Sequence, residues 1–203
     1  MANIRQHLRL FPVLVQVSDI EGAKTLNDKL CESIYQLMKT EPNTKPDNWA
    51  CEVYTTIMNG KMLLDTPPFD ALVDIINAEV EKFGHKLKLD IDRYPPRINE
   101  CWFNVYAHGN SQDVHVHRNS VISGIYYPKA PEGCADVLFH SPWADQMLEP
   151  PLTATDPTNA TSFNVKPVSG PPSLFLLSVM TVHKASIVGN QASGPTSVDG
   201  SHC

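Results

Sequence analysis

The 203-residue chain has no apolar run long enough to cross a bilayer, which takes about 20 such residues. Its first residues lack the continuous apolar stretch of a secretory signal peptide, so we expect a soluble, cytoplasmic protein. Lysine and arginine do not cluster, and the net charge is -6 with a pI of about 5.7. Such an acidic chain is a poor candidate for binding nucleic acid or an anionic membrane.

The chain also lacks paired cysteines and the common nucleotide and hydrolase motifs. Its five cysteines are scattered and never form C-x-x-C, so they predict neither a disulfide framework nor a thiolate zinc site. We interpret them as small buried hydrophobes. No G-x-S-x-G, Walker or G-x-G-x-x-G pattern occurs, which disfavours hydrolase, P-loop and Rossmann chemistry.

The length predicts a single domain over residues 1–203, with helical support in 1–85. An apolar strand is predicted at 8–17, and the S-x-x-E capping box of Ser18–Glu21 predicts that the first helix begins there. A second helix is predicted from an N-cap at Thr66 to a stop at Gly84. The first helix has apolar residues at spacings of three and four: Ala23, Leu26, Leu30, Ile34, Leu37 and Met38.

After residue 86 the periodicity becomes that of strands. Alternating apolar residues predict a strand at 87–91. Helices followed by many short strands predict a mainly β, α+β fold whose core is a sandwich or barrel. A long loop is expected at 144–161 and a disordered tail at 189–203. Further strands are predicted at 52–58, 100–107, 113–117, 120–127, 136–140, 162–168, 174–179 and 182–188.

Two histidines two residues apart form the segment with the clearest chemistry. On a strand, His115 and His117 would point to the same face, about 6.5–7 Å apart along the chain. Imidazoles at that spacing can converge on one metal, with bonds of about 2.0–2.1 Å. His183, in another apolar strand pattern, is the best candidate for a third ligand. Three ligands on one side leave positions open for substrate and dioxygen, as in mononuclear non-haem iron sites.

Other interpretations of these residues stay open. An H-x-H pair can simply be the polar, solvent-facing side of a strand. Asp113 shares a face with His115 and is either a reserve carboxylate ligand or an acceptor that orients an imidazole. The other histidines are interpreted as surface residues or as partners of the ligands: His7, His85, His108, His140 and His202.

The histidine segment and its surroundings resemble the 2-oxoglutarate/Fe(II)-dependent oxygenases, in particular a bacterial and phage group with an H-x-H…SG-x-YY signature. The resemblance rests on 115–127, on GCADVLFHSP at 133–142 and on the W-x-N of 102–104. It extends to 10–13, 48–49, the 66–83 helix and the strand of 169–183, so it covers most of the chain.

The resemblance implies a double-stranded β-helix (jelly roll, cupin-like) core at about 86–188, flanked by the N-terminal helices. It implies Fe(II) held by His115, His117 and His183, with 2-oxoglutarate as cosubstrate in an oxidation, usually a hydroxylation. The family places an arginine about ten residues past the last ligand, where this chain has Ser193–Ser197, and no arginine follows Arg118. The residues proposed to line the cosubstrate pocket are Asn104, Ser123, Tyr127 and Lys184.

Two alternatives to a 2-oxoglutarate-dependent hydroxylase remain. One is a cupin-like three-histidine metal protein that does not use 2-oxoglutarate. The other is a jelly-roll binding protein that has lost catalysis, which the missing arginine favours and the intact H-x-H opposes. The sequence leaves the substrate open as a small molecule or a peptide, and it leaves the oligomeric state open, with a homodimer as one option.

Overall fold

The structure is a computed structural model that describes residues 6–7, 13–59, 63–107, 109–117, 120–130, 134, 136–141, 151–167, 173–178 and 184–188. Most of the predicted strand at 8–17, the first part of the 144–161 loop, His183 and the tail lie outside these residues. The described part of that loop, 151–161, forms turns and exposed chain. No helix in the described ranges is both long and apolar enough to cross a membrane.

Two amphipathic helices form the main core. They are α1 (Lys24–Thr40) and α2 (Phe69–Lys86). The three- and four-residue spacing of apolar positions in α1 is confirmed, because Leu30 and Ile34 are buried on one face. The buried core cluster combines residues of α1, of α2 and of the segments before and after α2. Its members are Leu30, Ile34, Leu63, Phe69, Leu72 and Phe103.

The predicted capping box at residues 18–21 is wrong. Ser18 belongs to strand β1 (Val15–Asp19), and α1 begins only at Lys24, after an N-cap at Ala23 that makes no side-chain cap hydrogen bond. The Ser18 hydroxyl instead donates to Glu79 on α2 over 2.7 Å. The Ser18 hydroxyl therefore binds a residue of another helix and does not cap α1 in the way that the S-x-x-E pattern predicted.

Helix α2 also departs from its predicted ends. It starts after Pro68 rather than at a Thr66 cap, and it runs through Gly84 to Lys86. Gly84 serves packing, because a Cβ placed there would lie 2.9 Å from Cγ2 of Ile91. The predicted strand at 87–91 is wrong: the Leu87 and Leu89 amides donate back to α2 carbonyls, and the chain turns through Lys88 at φ 62°.

The strand predicted at 136–140 is confirmed with the same bounds, whereas those predicted at 52–58, 100–107 and 120–127 are longer than the strands observed there. All pairings between the described strands are antiparallel. Within the described residues they form a two-stranded sheet, β2–β3, and two three-stranded sheets, β1–β7–β4 and β6–β5–β8. In 113–117 only His115 makes a bridge-type pairing. The strands that follow β1 are β2 (Val53–Thr55), β3 (Asn104–Tyr106), β4 (Ile122–Tyr127), β5 (Asp136–His140), β6 (Ser162–Val165), β7 (Ser173–Ser178) and β8 (Lys184–Val188).

Small antiparallel sheets with two helices make the α+β class that the sequence predicts. The two three-stranded sheets depend on pairings between strands that are far apart in sequence. Ile122–Tyr127 pairs with Ser173–Ser178, and Asp136–His140 pairs with Lys184–Val188. Both pairings place the chain after residue 173 against the segments that follow the H-x-H pair.

Candidate metal centre

The imidazoles of His115 and His117 converge. Their Nε2 atoms lie 3.0 Å apart and their ring centroids 5.0 Å apart. Both side chains are half-buried. The i, i+2 spacing therefore brings the two rings together as predicted, although the segment between Asp113 and His117 has no extended ladder.

Each ring is held at its other nitrogen. Nδ1 of His115 lies 2.8 Å from the main-chain carbonyl oxygen of Asp113. Nδ1 of His117 lies 2.8 Å from the hydroxyl of Ser123 on β4. This contact uses the main-chain carbonyl of Asp113 and not its carboxylate, whose side chain is exposed, so both sequence hypotheses for that carboxylate stay predictions. Such partners fix the ring orientation of a metal-binding histidine.

His117 is placed in a less polar setting than His115. The Trp102 ring lies 6.0 Å from the His117 ring, centroid to centroid and tilted by 60°. Burial, and secondarily the neighbouring His115, lowers the pKa of His117. The neutral imidazole is the form that binds metals, so this environment favours the ligand state.

Strand β3 connects the helical core to the histidines. On one face of residues 101–106, Phe103 belongs to the helical core and Cys101 and Val105 pack against it. Trp102, Asn104 and Tyr106 alternate with them and occupy the other face, which meets the histidines through Trp102. The sequence prediction included only Asn104, although the period-two pattern held the signal for all three.

A chain of hydrogen bonds runs from Asn104 through Tyr106 to Gln112. Asn104 Nδ2 donates to the Tyr106 hydroxyl, which donates to Oε1 of Gln112, both over 3.2 Å. Gln112 is 4% exposed and also accepts from the Cys51 thiol over 3.6 Å. Sequence reasoning missed Tyr106 and Gln112, because nothing in their local pattern indicates a shared partner.

Tyr127 lies close to this chain. Burial raises its pKa, and the neighbouring Tyr106 raises it further. Burial also raises the pKa of Tyr106, so both remain neutral phenols. Among the described residues, the Asn104 Oδ1 atom is buried with no hydrogen-bond partner, as are one carboxylate oxygen of Asp136 and Nε2 of His140. A buried acceptor beside two phenols suits a polar ligand.

The remaining predicted residues are only partly described. His183 lies outside the described residues, and Lys184 opens β8 opposite His140 on β5. His140 is half-buried, whereas His7 and His85 are exposed; His108 and His202 lie outside the described part of the chain. Within that part, no three His, Cys, Asp or Glu side chains come together as a metal site.

The two described imidazoles fit a metal ion. Imidazole–metal bonds are about 2.0–2.1 Å long, and two such bonds from atoms 3.0 Å apart meet at about 90°. That is the angle between neighbouring ligands in an octahedral site, and imidazole is a suitable ligand for iron. The donor set therefore suits one edge of a six-coordinate centre.

Residues 100–190 match a family described as "Putative 2OG-Fe(II) oxygenase". The match runs from just before β3 to just past β8 and includes the two converging histidines and His183. The resemblance to these oxygenases is confirmed over this region, and the family's cofactors are Fe(II) and 2-oxoglutarate. A comparison with curated proteins gives no match.

Proposed function

From the premise that residues 100–190 form a 2OG-Fe(II) oxygenase domain, we propose that the protein is a mononuclear dioxygenase that hydroxylates its substrate. His115, His117 and His183 hold the iron, with Asp113 in reserve. The observation that carries this proposal is the 3.0 Å approach of two Nε2 atoms whose rings are each held at Nδ1.

We propose a jelly roll as the fold of this domain. In a jelly roll, strands distant in sequence pair to close two facing sheets. The pairings of β4 with β7 and of β5 with β8 support it, because each joins segments about fifty residues apart. The register of β8 supports His183 as a ligand, since that residue directly precedes a strand paired with β5.

The chain's own residues prepare the site. His115 and His117 offer imidazole nitrogens that point at a common position, and Asp113 and Ser123 keep the rings in that orientation. The Trp102 ring lies beside the His117 ring, with centroids 6.0 Å apart. Fe(II) with 2-oxoglutarate, when bound, supplies oxidative decarboxylation of the cosubstrate coupled to oxygen insertion into a C–H bond.

Polar groups near the histidines form the proposed cosubstrate pocket. Tyr127 is a neutral phenol in the proposed pocket, and so is Tyr106, whose hydroxyl donates to Gln112 and accepts from Asn104. Asn104 offers an unpaired acceptor to a hydroxyl or a water. Lys184 remains part of the proposal as the cation nearest to His183 in sequence. The substrate is proposed only as a small molecule or peptide in the cytoplasm.

The test measures iron and succinate on the same samples. Protein purified without oxygen is loaded with Fe(II), and metal content is compared between wild type and the His117→Ala and His183→Ala variants. Each substitution should abolish stoichiometric iron binding, while His85→Ala, at an exposed position on α2, should leave it unchanged. Full iron occupancy in His117→Ala would contradict the site.

A second candidate is a cupin-like three-histidine protein that does not use 2-oxoglutarate. The absence of any arginine after Arg118 favours it. Succinate release from millimolar 2-oxoglutarate by the iron-loaded protein separates the two. Succinate supports the dioxygenase, whereas tight iron without succinate supports the cupin-like protein.

A further inference from the structure

A buried glutamine precedes the histidine segment. Gln112 is 4% exposed, whereas its neighbours at 109–111 and 113–117 are half-buried or exposed. An amide removed from water without hydrogen-bond partners costs free energy, so a buried glutamine is stable only where the fold supplies them. The burial of Gln112 therefore indicates polar contacts that hold this part of the chain in place.

The amide oxygen of Gln112 accepts two hydrogen bonds from the β2–β3 sheet and its flank. The Tyr106 hydroxyl donates to Oε1 over 3.2 Å, and the Cys51 thiol donates to the same atom over 3.6 Å. A carbonyl oxygen has two lone pairs, so the two donors use both of them. Tyr106 lies on β3 directly opposite Val53 of β2, and Cys51 lies two residues before β2. Gln112 is thus bound to this sheet at two points.

The residue after Gln112 carries the contact that orients the first histidine. The main-chain carbonyl oxygen of Asp113 lies 2.8 Å from Nδ1 of His115. Within the described residues 109–117 only His115 makes a bridge-type pairing, so no strand ladder fixes where this carbonyl lies. The buried side chain adjacent to it in sequence is that of Gln112.

We propose that Gln112 is a positioning residue for the metal site. Its hydrogen bonds to Tyr106 and Cys51 hold the main chain at Asp113 so that the carbonyl there keeps the His115 ring in its ligand orientation. An apolar side chain of the same length fills the space but leaves the hydroxyl and the thiol without their acceptor. The inference rests on the proposed function only in taking His115 as a ligand, and it requires neither 2-oxoglutarate nor turnover.

Titration of the full chain with Co(II), without oxygen and without 2-oxoglutarate, tests this role. Gln112→Met removes the acceptor and should weaken Co(II) binding by about 10-fold, the lower end of the loss expected when a partner behind a ligand is removed. It should also alter the visible Co(II) spectrum, which reports the arrangement of the ligands and which lower stability alone does not change.

Gln16→Met is the matched control. Gln16 is a half-buried glutamine whose side chain donates to Ser18 and Glu79 and not to the histidine segment. Its loss should lower the midpoint of thermal unfolding and leave Co(II) affinity and the Co(II) spectrum unchanged. Unchanged Co(II) affinity in Gln112→Met, or an equal loss of affinity in Gln16→Met, would overturn the proposal.

Variants of the two donors test the contact from its other side, and they still decide if Gln112→Met does not fold. Cys51→Ala removes one donor and should weaken Co(II) binding a few-fold, whereas Cys51→Ser keeps a donor and should restore it. In the Tyr106→Phe background, Gln112→Met should weaken binding by less than it does alone, because part of the contact is already lost. Fully additive losses, or an equal loss in Cys51→Ser, would overturn the role of these hydrogen bonds.

These outcomes are separable from those of the proposed function. Tight iron binding without succinate release would contradict the dioxygenase, while weakened Co(II) binding in Gln112→Met would still support the positioning role. Succinate release together with unchanged Co(II) affinity in Gln112→Met would support the dioxygenase and overturn the role of Gln112. Full Co(II) affinity in His115→Ala would overturn both.

Discussion

The helical region, residues 13–107, and the histidine region, residues 109–188, bury different kinds of side chain. Among the residues whose burial is described, the fully buried apolar side chains lie in the helical region, and Val137 is the exception. The histidine region instead half-buries imidazoles and hydroxyls that hold one another. The fully buried apolar core and the candidate metal-binding side chains therefore lie largely in different parts of the chain.

The segment just before β3 contacts both the helical core and the histidines, and it connects the two regions. Phe103 stacks on Phe69 of α2, with ring centroids 6.4 Å apart, and the preceding residue, Trp102, lies beside the His117 ring. A second connection is the hydrogen bond from Tyr126 on β4 to Asn27 on α1. The comparison predicts that core substitutions lower stability, and that substitutions of the histidines remove metal with little loss of stability.

The largest effect is expected on the free energy of unfolding, when a buried phenylalanine and an exposed one are each replaced by alanine. Phe83 on α2 is fully buried, whereas Phe163 on β6 is 45% exposed. Phe83→Ala should lower the free energy of unfolding by about 3–5 kcal/mol, because it removes buried area and leaves a cavity. Phe163→Ala should cost less than about 1 kcal/mol. Urea unfolding measures both, and equal losses would contradict the division between the regions.

The next effect concerns the link between the regions. Tyr126→Phe removes the donor to Asn27 Oδ1, a 2.6 Å bond to a residue only 7% exposed. Leaving that acceptor unpaired should cost about 1–3 kcal/mol.

Burial raises the pKa of Tyr126 to about 12. Its neutral form is therefore favoured by folding, and the wild type should lose stability as the pH rises from about 10 towards 12.

Urea titrations of both proteins at pH 8 and pH 11 check this prediction. The difference between wild type and Tyr126→Phe should shrink at the higher pH, because the variant has no phenol to ionise at this position. Tyr94→Phe, at a position 66% exposed, serves as the control. A difference that grows at pH 11 would contradict the assignment.

The sequence predicts only part of the burial and of the contacts on which these predictions depend. The spacing of Leu30 and Ile34 predicts the buried face of α1, because burial on a helix repeats with its own period. The H-x-H pair likewise predicts a local convergence. Ser18 misleads, since a hydroxyl before an acidic residue fits a cap, but which acceptor it meets depends on where α2 packs.

Dependence on tertiary packing also explains why the sequence indicated some residues of the candidate site and missed others. Asn104 and Ser123 come from the resemblance, but the actual contacts of Ser123 depend on β4 meeting the histidine segment. Gln112 and Tyr106 meet only through the tertiary fold. The alternation at 87–91 fails as a strand predictor because Ile91 is buried against Gly84 of a helix rather than in a sheet.

A smaller effect tests the attachment of β1 to α2. Glu79 accepts from Gln16 and Ser18 of β1 and pairs with Lys82. Hydrogen bonds from Lys82, Ser18 and Gln16 lower the pKa of Glu79. Together they outweigh burial, which acts to raise it. The ionised form is thus favoured by folding, so its contribution is present above the unfolded pKa of about 4.5 and is lost as the pH falls below it.

Glu79→Gln should therefore lower stability by about 1 kcal/mol at pH 7 and by less at pH 3. Glu81→Gln, two residues along α2 with a side chain 70% exposed, is the matched control and should change little. Thermal unfolding at the two pH values gives the comparison. A loss at pH 3 as large as that at pH 7 would show that the carboxylate charge is not what holds β1.

The smallest expected effect is the stabilisation of the iron-loaded protein by 2-oxoglutarate. A carboxylate moved from water into a pocket needs a charged or multiply hydrogen-bonded partner, and guanidinium gives bidentate recognition that lysine does not copy. No arginine follows Arg118, and the phenols of Tyr106 and Tyr127 are neutral, so they carry no charge to pair with a carboxylate. We therefore expect a dissociation constant in the millimolar range.

At 1 mM ligand, a millimolar dissociation constant stabilises the folded state by only about 0.4 kcal/mol, whereas a micromolar one gives about 4 kcal/mol. Isothermal titration of the Fe(II)-loaded protein under nitrogen measures the constant directly, and thermal unfolding checks it. Pyruvate is the matched control, because it keeps the keto-acid end and lacks the distal carboxylate. Similar dissociation constants for 2-oxoglutarate and pyruvate mean that the distal carboxylate has no strong partner. A micromolar dissociation constant for 2-oxoglutarate alone would contradict this prediction. It would mean that the polar cluster around Tyr106 and Tyr127, or Lys184, replaces the arginine.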